Sequence, residues 1–238
     1  MSTYRQACAR VDEREADLLE TLRAIVAIDN GVPPGRNYED LVDLLEPTFR
    51  RLGFDTERVT VPDERLRDIP WRLEGPRVNL VAQQRSGKEP VTIYAHMDSW
   101  PAGPGWHFDP FAAEVSEGRM YGNGVADVKG NIACLLTALE VMDELEIEPS
   151  FDLICCLCTD KEIIYYPGLA YLAELGYVEG HVLQLAGTAE PTENVAYMGM
   201  LTAEVVTLGE CDYDAPTKVN ALEAMLPIME ELAKLKEA

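Results

Sequence analysis

Four side chains that commonly bind metal ions are spread along the middle of the sequence. One is a histidine and the others are carboxylates: His96, Asp127, Glu162 and Glu190. Imidazole nitrogen and carboxylate oxygen are ligands of Zn²⁺ and similar cations. Brought together by a fold, they form the kind of site that hydrolases use to activate water. The set therefore predicts a metallohydrolase.

Each of these residues, taken alone, also has a simpler interpretation. His96 and Asp98 alternate on a predicted strand, so they project from the same face. One can then bind a metal while the other orients it, or the two can be a hydrogen-bonded pair at a strand end. Asp127 follows a glycine-rich turn and fits a turn or a helix cap. Glu162 and Glu190 could simply be solvated acidic residues in loops. A single site for these residues, together with His96, Asp98 and Asp127, is favoured only if the fold brings them to the same location.

Hydrophobic periodicity supplies that shared location. Strands and helices alternate, which predicts an α/β fold with a mostly parallel sheet flanked by helices. Ligands of such sheets bind beyond the carboxyl ends of the strands, where His96, Glu162 and Glu190 fall. The strands are predicted at 54–61, 77–85, 90–97, 151–159 and 182–185, with a hairpin within 111–122. The helices are predicted at 11–28, 38–52, 129–145, 166–175 and 219–237.

The pattern changes after residue 195, which predicts two domains. Residues 1–195 are expected to form a metal-binding domain of catalytic type. Residues 196–238 hold one or two strands at 197–208 and a final helix, too little to close a separate core. They are therefore expected to be part of a second domain.

Composition limits the partners and the compartment. The formal charge of −22 argues against nucleic acid, which is bound through clustered lysine and arginine. No apolar run approaches the ~18 residues of a membrane span, and the N-terminus is too polar for a signal peptide. Cys155 and Cys158 lie three apart on a predicted buried strand, so they should face opposite sides of it. Buried free thiols favour a reducing cytoplasm.

Several motifs continue the pattern of candidate ligands along nearly the whole chain. They lie, in order, at residues 96–98, 106–111, 118–124, 127–130, 159–162, 189–192 and 217–221. Together they resemble the signature of the di-zinc peptidase family of aminoacylase, acetylornithine deacetylase, succinyl-diaminopimelate desuccinylase and carboxypeptidase G. The resemblance implies a zinc-peptidase-like catalytic domain, followed by an incomplete lid domain.

The resemblance also implies a role for each candidate residue. His96 would bind one zinc ion, and Asp127 would bridge two. Glu162 would bind one ion and Glu190 the other, while Asp98 would support His96. The implied reaction is hydrolysis of an amide bond in a small N-acyl amino acid or peptide.

Lys161 departs from the family's pattern. A glutamate directly before the ligand glutamate is the general base in that family, and here the position holds a lysine. An ammonium group cannot accept the proton of water, so hydrolysis is expected to be weakened. Two nearby dications are expected to lower the pKa of Lys161, which would allow a neutral amine to act as the base. Asp160 is the other residue that could replace the missing base.

The family's last zinc-binding histidine, near its C-terminus, has no counterpart before Ala238. His107 and His181 are the other histidines, and both are expected at the surface. A homo-oligomer, or a partner chain that completes the site, is therefore expected. Two alternatives remain: a non-catalytic relative that serves as a binding or regulatory subunit, and a shortened or altered form of a normal enzyme.

Overall fold

The structure is a computed structural model of the 238-residue chain. It describes residues 3–185, 206–208 and 221–234. The chain divides into two compact units, residues 1–190 and 191–238. The first unit contains the sheet and the candidate site.

A five-stranded sheet lies at the centre of the first unit. Its strands are β1 (Asp55–Thr60), β2 (Val78–Gln84), β3 (Pro90–His96), β6 (Asp152–Cys158) and β7 (His181–Gln184). A separate hairpin is formed by β4 (Glu114–Ser116) and β5 (Arg119–Tyr121). The strand order is β1-β2-β6-β3-β7; β3 is parallel to β6 and β7, whereas β2 is antiparallel to β1 and β6. Only β2 is reversed in this sheet, so the prediction of a mostly parallel sheet is confirmed.

Helices cover both faces of the sheet. They are α1 (Thr3–Glu13), α2 (Glu15–Val26), α3 (Tyr38–Arg51), α4 (Gly130–Glu144) and α5 (Pro167–Glu174). The larger core lies between one face and helices α2, α3 and α4, and it includes Ile25, Phe49 and Leu136. The smaller core lies on the other face, where Leu172 of α5 packs near Tyr94 of β3. These apolar contacts fix the sheet from both sides.

After Asp152, every residue of β6 is apolar, because both faces of this strand are covered by a core. All of β6 is buried, with Cys155 in the larger core and Cys156 and Cys158 in the smaller one. The prediction that Cys155 and Cys158 face opposite sides is confirmed. Burial raises the pKa of Cys156 to about 12, which makes its thiol a weak nucleophile.

The register of β3 and β6 brings two candidate segments together. His96, the last residue of β3, is paired with Cys158, the last residue of β6. The Met97 N–H then donates to the Cys158 carbonyl at 2.8 Å. Residues 96–98 and 159–162 therefore leave the sheet at the same edge, where α/β proteins bind ligands.

Helix α2 confirms most of the helix predicted at 11–28, but its predicted start is wrong, because a break separates α2 from α1. At the break, Arg14 leaves helical backbone angles (φ −100°, ψ 16°). Its guanidinium pairs with Glu140 and Glu144 of α4, at 2.9 Å and 3.0 Å. Helix α2 buries Leu22, Ile25 and Val26, whereas α1 buries none of its residues. Hydrophobic periodicity over residues 11–28 does not reveal the break between the two helices.

The second unit is described in part. The strands predicted at 197–208 lie largely outside the described residues, and 206–208 form neither helix nor strand. Helix α6 (Ala221–Lys234) confirms the helix predicted at 219–237, and Pro227 lies within it. In the described ranges, no helix has the length and apolar character needed to cross a bilayer.

Candidate metal centre

Three of the predicted ligands converge at the edge of the sheet. His96, Asp127 and Glu162 each present one donor atom, and these atoms lie within 4.8 Å of one another. His96 Nε2 is 3.4 Å from Asp127 Oδ1 and 3.9 Å from Glu162 Oε1. They come from the end of β3, the turn before α4 and the loop after β6. Glu190, the fourth predicted ligand, lies outside the described residues.

The imidazole of His96 is buried and oriented by the backbone. Its Nδ1 lies 3.0 Å from the backbone carbonyl oxygen of Asp98, which can only accept a hydrogen bond. In the neutral ring Nδ1 therefore carries the proton, and the Nε2 lone pair faces Asp127 and Glu162. Burial lowers the pKa of His96, but Asp127 and Asp98 outweigh that effect and raise it to about 9. A metal ion would take the place of the Nε2 proton.

The Asp98 carboxylate, predicted to support His96, contacts two parts of the centre. Its Oδ2 accepts a hydrogen bond from the backbone N–H of Glu162 at 2.8 Å, which fixes the backbone of that candidate ligand. Its Oδ1 lies 3.6 Å from His96 Nδ1. That oxygen is buried without a hydrogen-bond partner among the described residues. Asp98 therefore lies where it can steady both a ligand histidine and a ligand glutamate.

A tight turn presents Asp127. Gly124 has φ +77°, and a Cβ added there would lie 3.2 Å from Lys129 Cδ and 3.3 Å from Ser99 Cβ. Within the following helical turn, Val125–Lys129, Asp127 itself has extended angles (φ −129°, ψ 101°). The hydrogen bond with His96 is the main cause that lowers the pKa of Asp127 to about 2.

Lys161 lies among the candidate ligands. Its Nζ is 3.0 Å from Glu162 Oε1 and 3.6 Å from Asp127 Oδ2. Burial lowers the pKa of Lys161, but the hydrogen bond and charge of Glu162 and the charge of Asp127 outweigh it. The protein's own groups therefore raise the pKa of Lys161, and the lowering expected from two bound dications stays a prediction. A charged Lys161 cannot act as the base.

A buried ion pair holds the loop that carries Lys161 and Glu162. Arg77 Nε lies 3.1 Å from Asp160 Oδ2, and both side chains are fully buried. Tyr38 donates its hydroxyl to Asp160 Oδ1 at 2.8 Å. Because these contacts occupy its carboxylate, Asp160 is poorly placed to replace the missing base. Burial raises the pKa of Asp160 to about 6, although Arg77 and Tyr38 oppose that shift.

Sequence reasoning missed Arg77 and Tyr38. Arg77 directly precedes an apolar strand, where a charged residue needs a partner if it is buried. The position of Arg77 in the sequence therefore indicates a buried ion pair, but it does not indicate which acidic residue is the partner. His107 and His181, in contrast, are exposed as predicted and lie outside the ligand cluster.

Lys129 is a second buried cation near the centre, and it predicts a pH effect on stability. It is fully buried, and its Nζ donates to the Ile28 carbonyl at 2.8 Å. Burial lowers the pKa of Lys129 from 10.5 to about 8, against the charges of Asp29 and Asp98. Between these values the unfolded chain binds more protons, so this residue's contribution to stability rises with pH.

The Lys129→Met variant lacks this titration. We compare the free energy of unfolding of the variant with that of the unaltered chain at each pH. The variant's value minus the unaltered chain's value should fall by roughly 3 kcal/mol between neutral pH and pH 10.5, because only the unaltered chain gains stability from Lys129 as pH rises. The thiols and tyrosines titrate in both proteins, so their contributions to the pH dependence of stability cancel in this difference. Denaturant unfolding with a chelator present measures it. For the exposed Lys88→Met control, the difference should vary by no more than about 0.5 kcal/mol. A constant difference for Lys129→Met would contradict the prediction.

Comparison with known proteins agrees with this geometry. Residues 92–235 match the sequence profile of Peptidase family M20/M25/M40. The chain belongs to this family. The family's members are metallopeptidases that are generally zinc-dependent, and the nitrogen and oxygen donors of the centre fit that ion.

The chain is similar to bacterial enzymes of which it covers about half. A succinyl-diaminopimelate desuccinylase of Rhodospirillum rubrum is 30% identical over 218 residues, which are 84% of this chain and 52% of that protein. An acetylornithine deacetylase of Klebsiella pneumoniae is 29% identical over 208 residues, covering 85% of this chain and 50% of that protein. The chain thus spans about half the length of these relatives.

Solved structures confirm the fold. The crystal structure of an M20 family metallo-carboxypeptidase from Sulfolobus solfataricus matches with a TM-score of 0.57 and 20% identity. The match covers 71% of this chain and 37% of that one. The α/β fold is therefore that of the family's catalytic domain, and the chain is related to desuccinylase and deacetylase hydrolases.

Proposed function

We propose that this chain is a zinc-dependent amide hydrolase weakened by Lys161. The observation that carries the proposal is the convergence of His96, Asp127 and Glu162 at the carboxyl ends of β3 and β6. Their donor types fit zinc, and the side chain of Asp127 is 45% exposed, which leaves the centre accessible from solvent.

Each residue has a distinct part in the proposed reaction. His96, Asp127 and Glu162, with Glu190 as a fourth, would hold zinc, which polarises a substrate carbonyl and acidifies water when bound. Asp98 holds the Glu162 backbone in position. Lys161 can donate hydrogen bonds but cannot take a proton from water. A positioned general base contributes about 10²–10⁴-fold to such reactions, so the loss should be of that size.

The proposed substrate is a small N-acyl amino acid or peptide. Two relatives carry names that describe removal of a succinyl or an acetyl group from an amino-acid compound. Both names fit cleavage of an amide between a short acyl group and an amino nitrogen. The proposal also places residues 196–238 as part of a lid domain, with a second copy or a partner chain completing the centre.

Zinc content measured together with hydrolysis tests the proposal. We expect slow cleavage of N-acetyl and N-succinyl amino acids that stops with a chelator and returns with zinc. The His96→Ala variant should lose both bound zinc and activity, because it removes a buried ligand. The exposed His107→Ala variant is the matched control and should keep both. Cleavage that persists in His96→Ala, or protein without zinc, would refute the proposal.

The ion pairs of Lys161 favour a second candidate, a non-catalytic binding or regulatory subunit. Lys161 forms ion pairs with Asp127 and Glu162 within the centre. A protein that does not catalyse hydrolysis needs no general base, so it could keep a lysine at this position. In that case the chain would bind zinc and an N-acyl amino acid without cleaving it. Calorimetric binding with no product after prolonged incubation distinguishes this candidate from a slow hydrolase.

A further inference from the structure

Two cations of the protein itself share the carboxylates of the centre. Asp127 turns Oδ1 toward His96 Nε2, at 3.4 Å, and Oδ2 toward Lys161 Nζ, at 3.6 Å. Glu162 Oε1 lies 3.9 Å from His96 Nε2 and 3.0 Å from Lys161 Nζ. The ammonium therefore lies on the side of Asp127 that does not face His96.

That place suits a metal ion. A carboxylate that bridges two metal ions about 3.5–4 Å apart can offer one oxygen to each of them. Here Oδ2 of Asp127 and Oε1 of Glu162 point to one position, which the Lys161 ammonium fills. A cation placed on the same two oxygens would stand close to the ammonium and would be repelled by it.

We propose that the Lys161 ammonium replaces the second metal ion, which leaves a centre for one divalent cation on the His96 side. This inference rests on the proposed function, since it assumes that the same residues hold zinc. Lys161 is joined covalently to Glu162, so its effective concentration at the carboxylates exceeds that of a free ion. Its side chain is 24% exposed, and the partial burial strengthens the ion pairs relative to surface ones.

Charge balance in the centre supports this replacement. Asp98, Asp127 and Glu162 all lie against His96 or Lys161, and in the described part of the chain the ion pairs of Asp127 and Glu162 involve only those two. Removal of the ammonium leaves Oδ2 of Asp127 without a cation. The centre then becomes more negative at the position where a second metal ion would bind.

Zinc titration by calorimetry tests the proposal. The unaltered chain should bind one equivalent tightly. The Lys161→Met variant should bind a second equivalent on the order of 100-fold more tightly than the unaltered chain does. Lys161→Arg keeps a cation and should behave like the unaltered chain. Lys88→Met removes the same net charge from an exposed position before β3 and should leave zinc binding unchanged.

Thermal unfolding gives a second measurement on the same proteins. Zinc should raise the melting temperature of Lys161→Met more than that of the unaltered chain, because a second ion binds the folded state. Far-UV circular dichroism with a chelator present shows that each variant is folded. Equal affinity for the second equivalent in Lys161→Met and the unaltered chain would overturn the proposal, and so would zinc binding by neither.

The two proposals fail in different ways. Tighter zinc binding by Lys161→Met in a protein that cleaves no amide would leave the inference standing and remove the proposed hydrolase. Zinc-dependent cleavage by the unaltered chain, with no change of zinc affinity in Lys161→Met, would do the reverse. Neither outcome depends on identifying the natural substrate.

Discussion

The Lys161→Glu variant is expected to cleave N-acyl amino acids about 10²–10⁴-fold faster than the unaltered chain at saturating zinc. A glutamate at this position supplies a proton acceptor next to Glu162, whose backbone N–H is already fixed by Asp98. The Lys161 side chain reaches both Asp127 and Glu162, so a carboxylate at the same position starts from a suitable place. The substitution also removes the ammonium that we propose takes the place of the second metal ion.

The Lys161→Gln variant separates these two effects. It removes the positive charge without supplying a base, so it should bind more zinc but gain little rate. Initial rates for both variants, at equal zinc occupancy and over a range of pH, measure the contribution of the base. The rate of Lys161→Glu should increase with pH as the new carboxyl group ionises. Equal rates for the two variants would show that position 161 does not carry the base.

The Arg77→Met variant is expected to lose about 3–5 kcal/mol of unfolding free energy, the usual cost of breaking a buried ion pair. It leaves the fully buried Asp160 without its cation. It also removes the donor for three backbone carbonyls, those of Pro34, Glu74 and Gly75. Denaturant unfolding measures the loss. Zinc affinity should fall as well, because the loop with Glu162 loses its anchor.

Two further variants test the source of that loss. Arg36→Met breaks an exposed pair with Glu74 and should cost at most about 1 kcal/mol. The double variant Arg77→Met with Asp160→Asn should be more stable than the sum of the single changes, because it leaves no unpaired charge. A loss in Arg77→Met no larger than that in Arg36→Met would contradict this account of the loop.

The sheet, and the edge of it that carries the candidate ligands, are the parts that the sequence predicts well. Strands β3 and β6 are nearly all apolar, which identifies them as central strands. Polar residues follow both runs directly. Parallel strands place such residues at one edge, so the meeting of His96 and Glu162 follows from the chain order.

The supports of the centre are not predictable in the same way. Arg77 and Asp160 are 83 positions apart, and their pairing depends on how the loops before β2 and after β6 pack. The contact of Lys161 with Asp127 likewise depends on the turn at Gly124. The reversed direction of β2 and the break at Arg14 depend on tertiary contacts as well. Hydrophobic periodicity indicates which residues are buried, but it does not indicate which polar groups form ion pairs or hydrogen bonds with one another.

The parallel pairing of β3 with β6 has a consequence for the order of folding. Residues His96, Asp127 and Glu162 are separated by long stretches of chain, and their approach requires closure of those loops. Such nonlocal pairings form slowly compared with helices. On a newly made chain the three donors are therefore far apart until the central strands have paired. A metal ion that needs all three donors would stabilise the finished sheet but would not nucleate it.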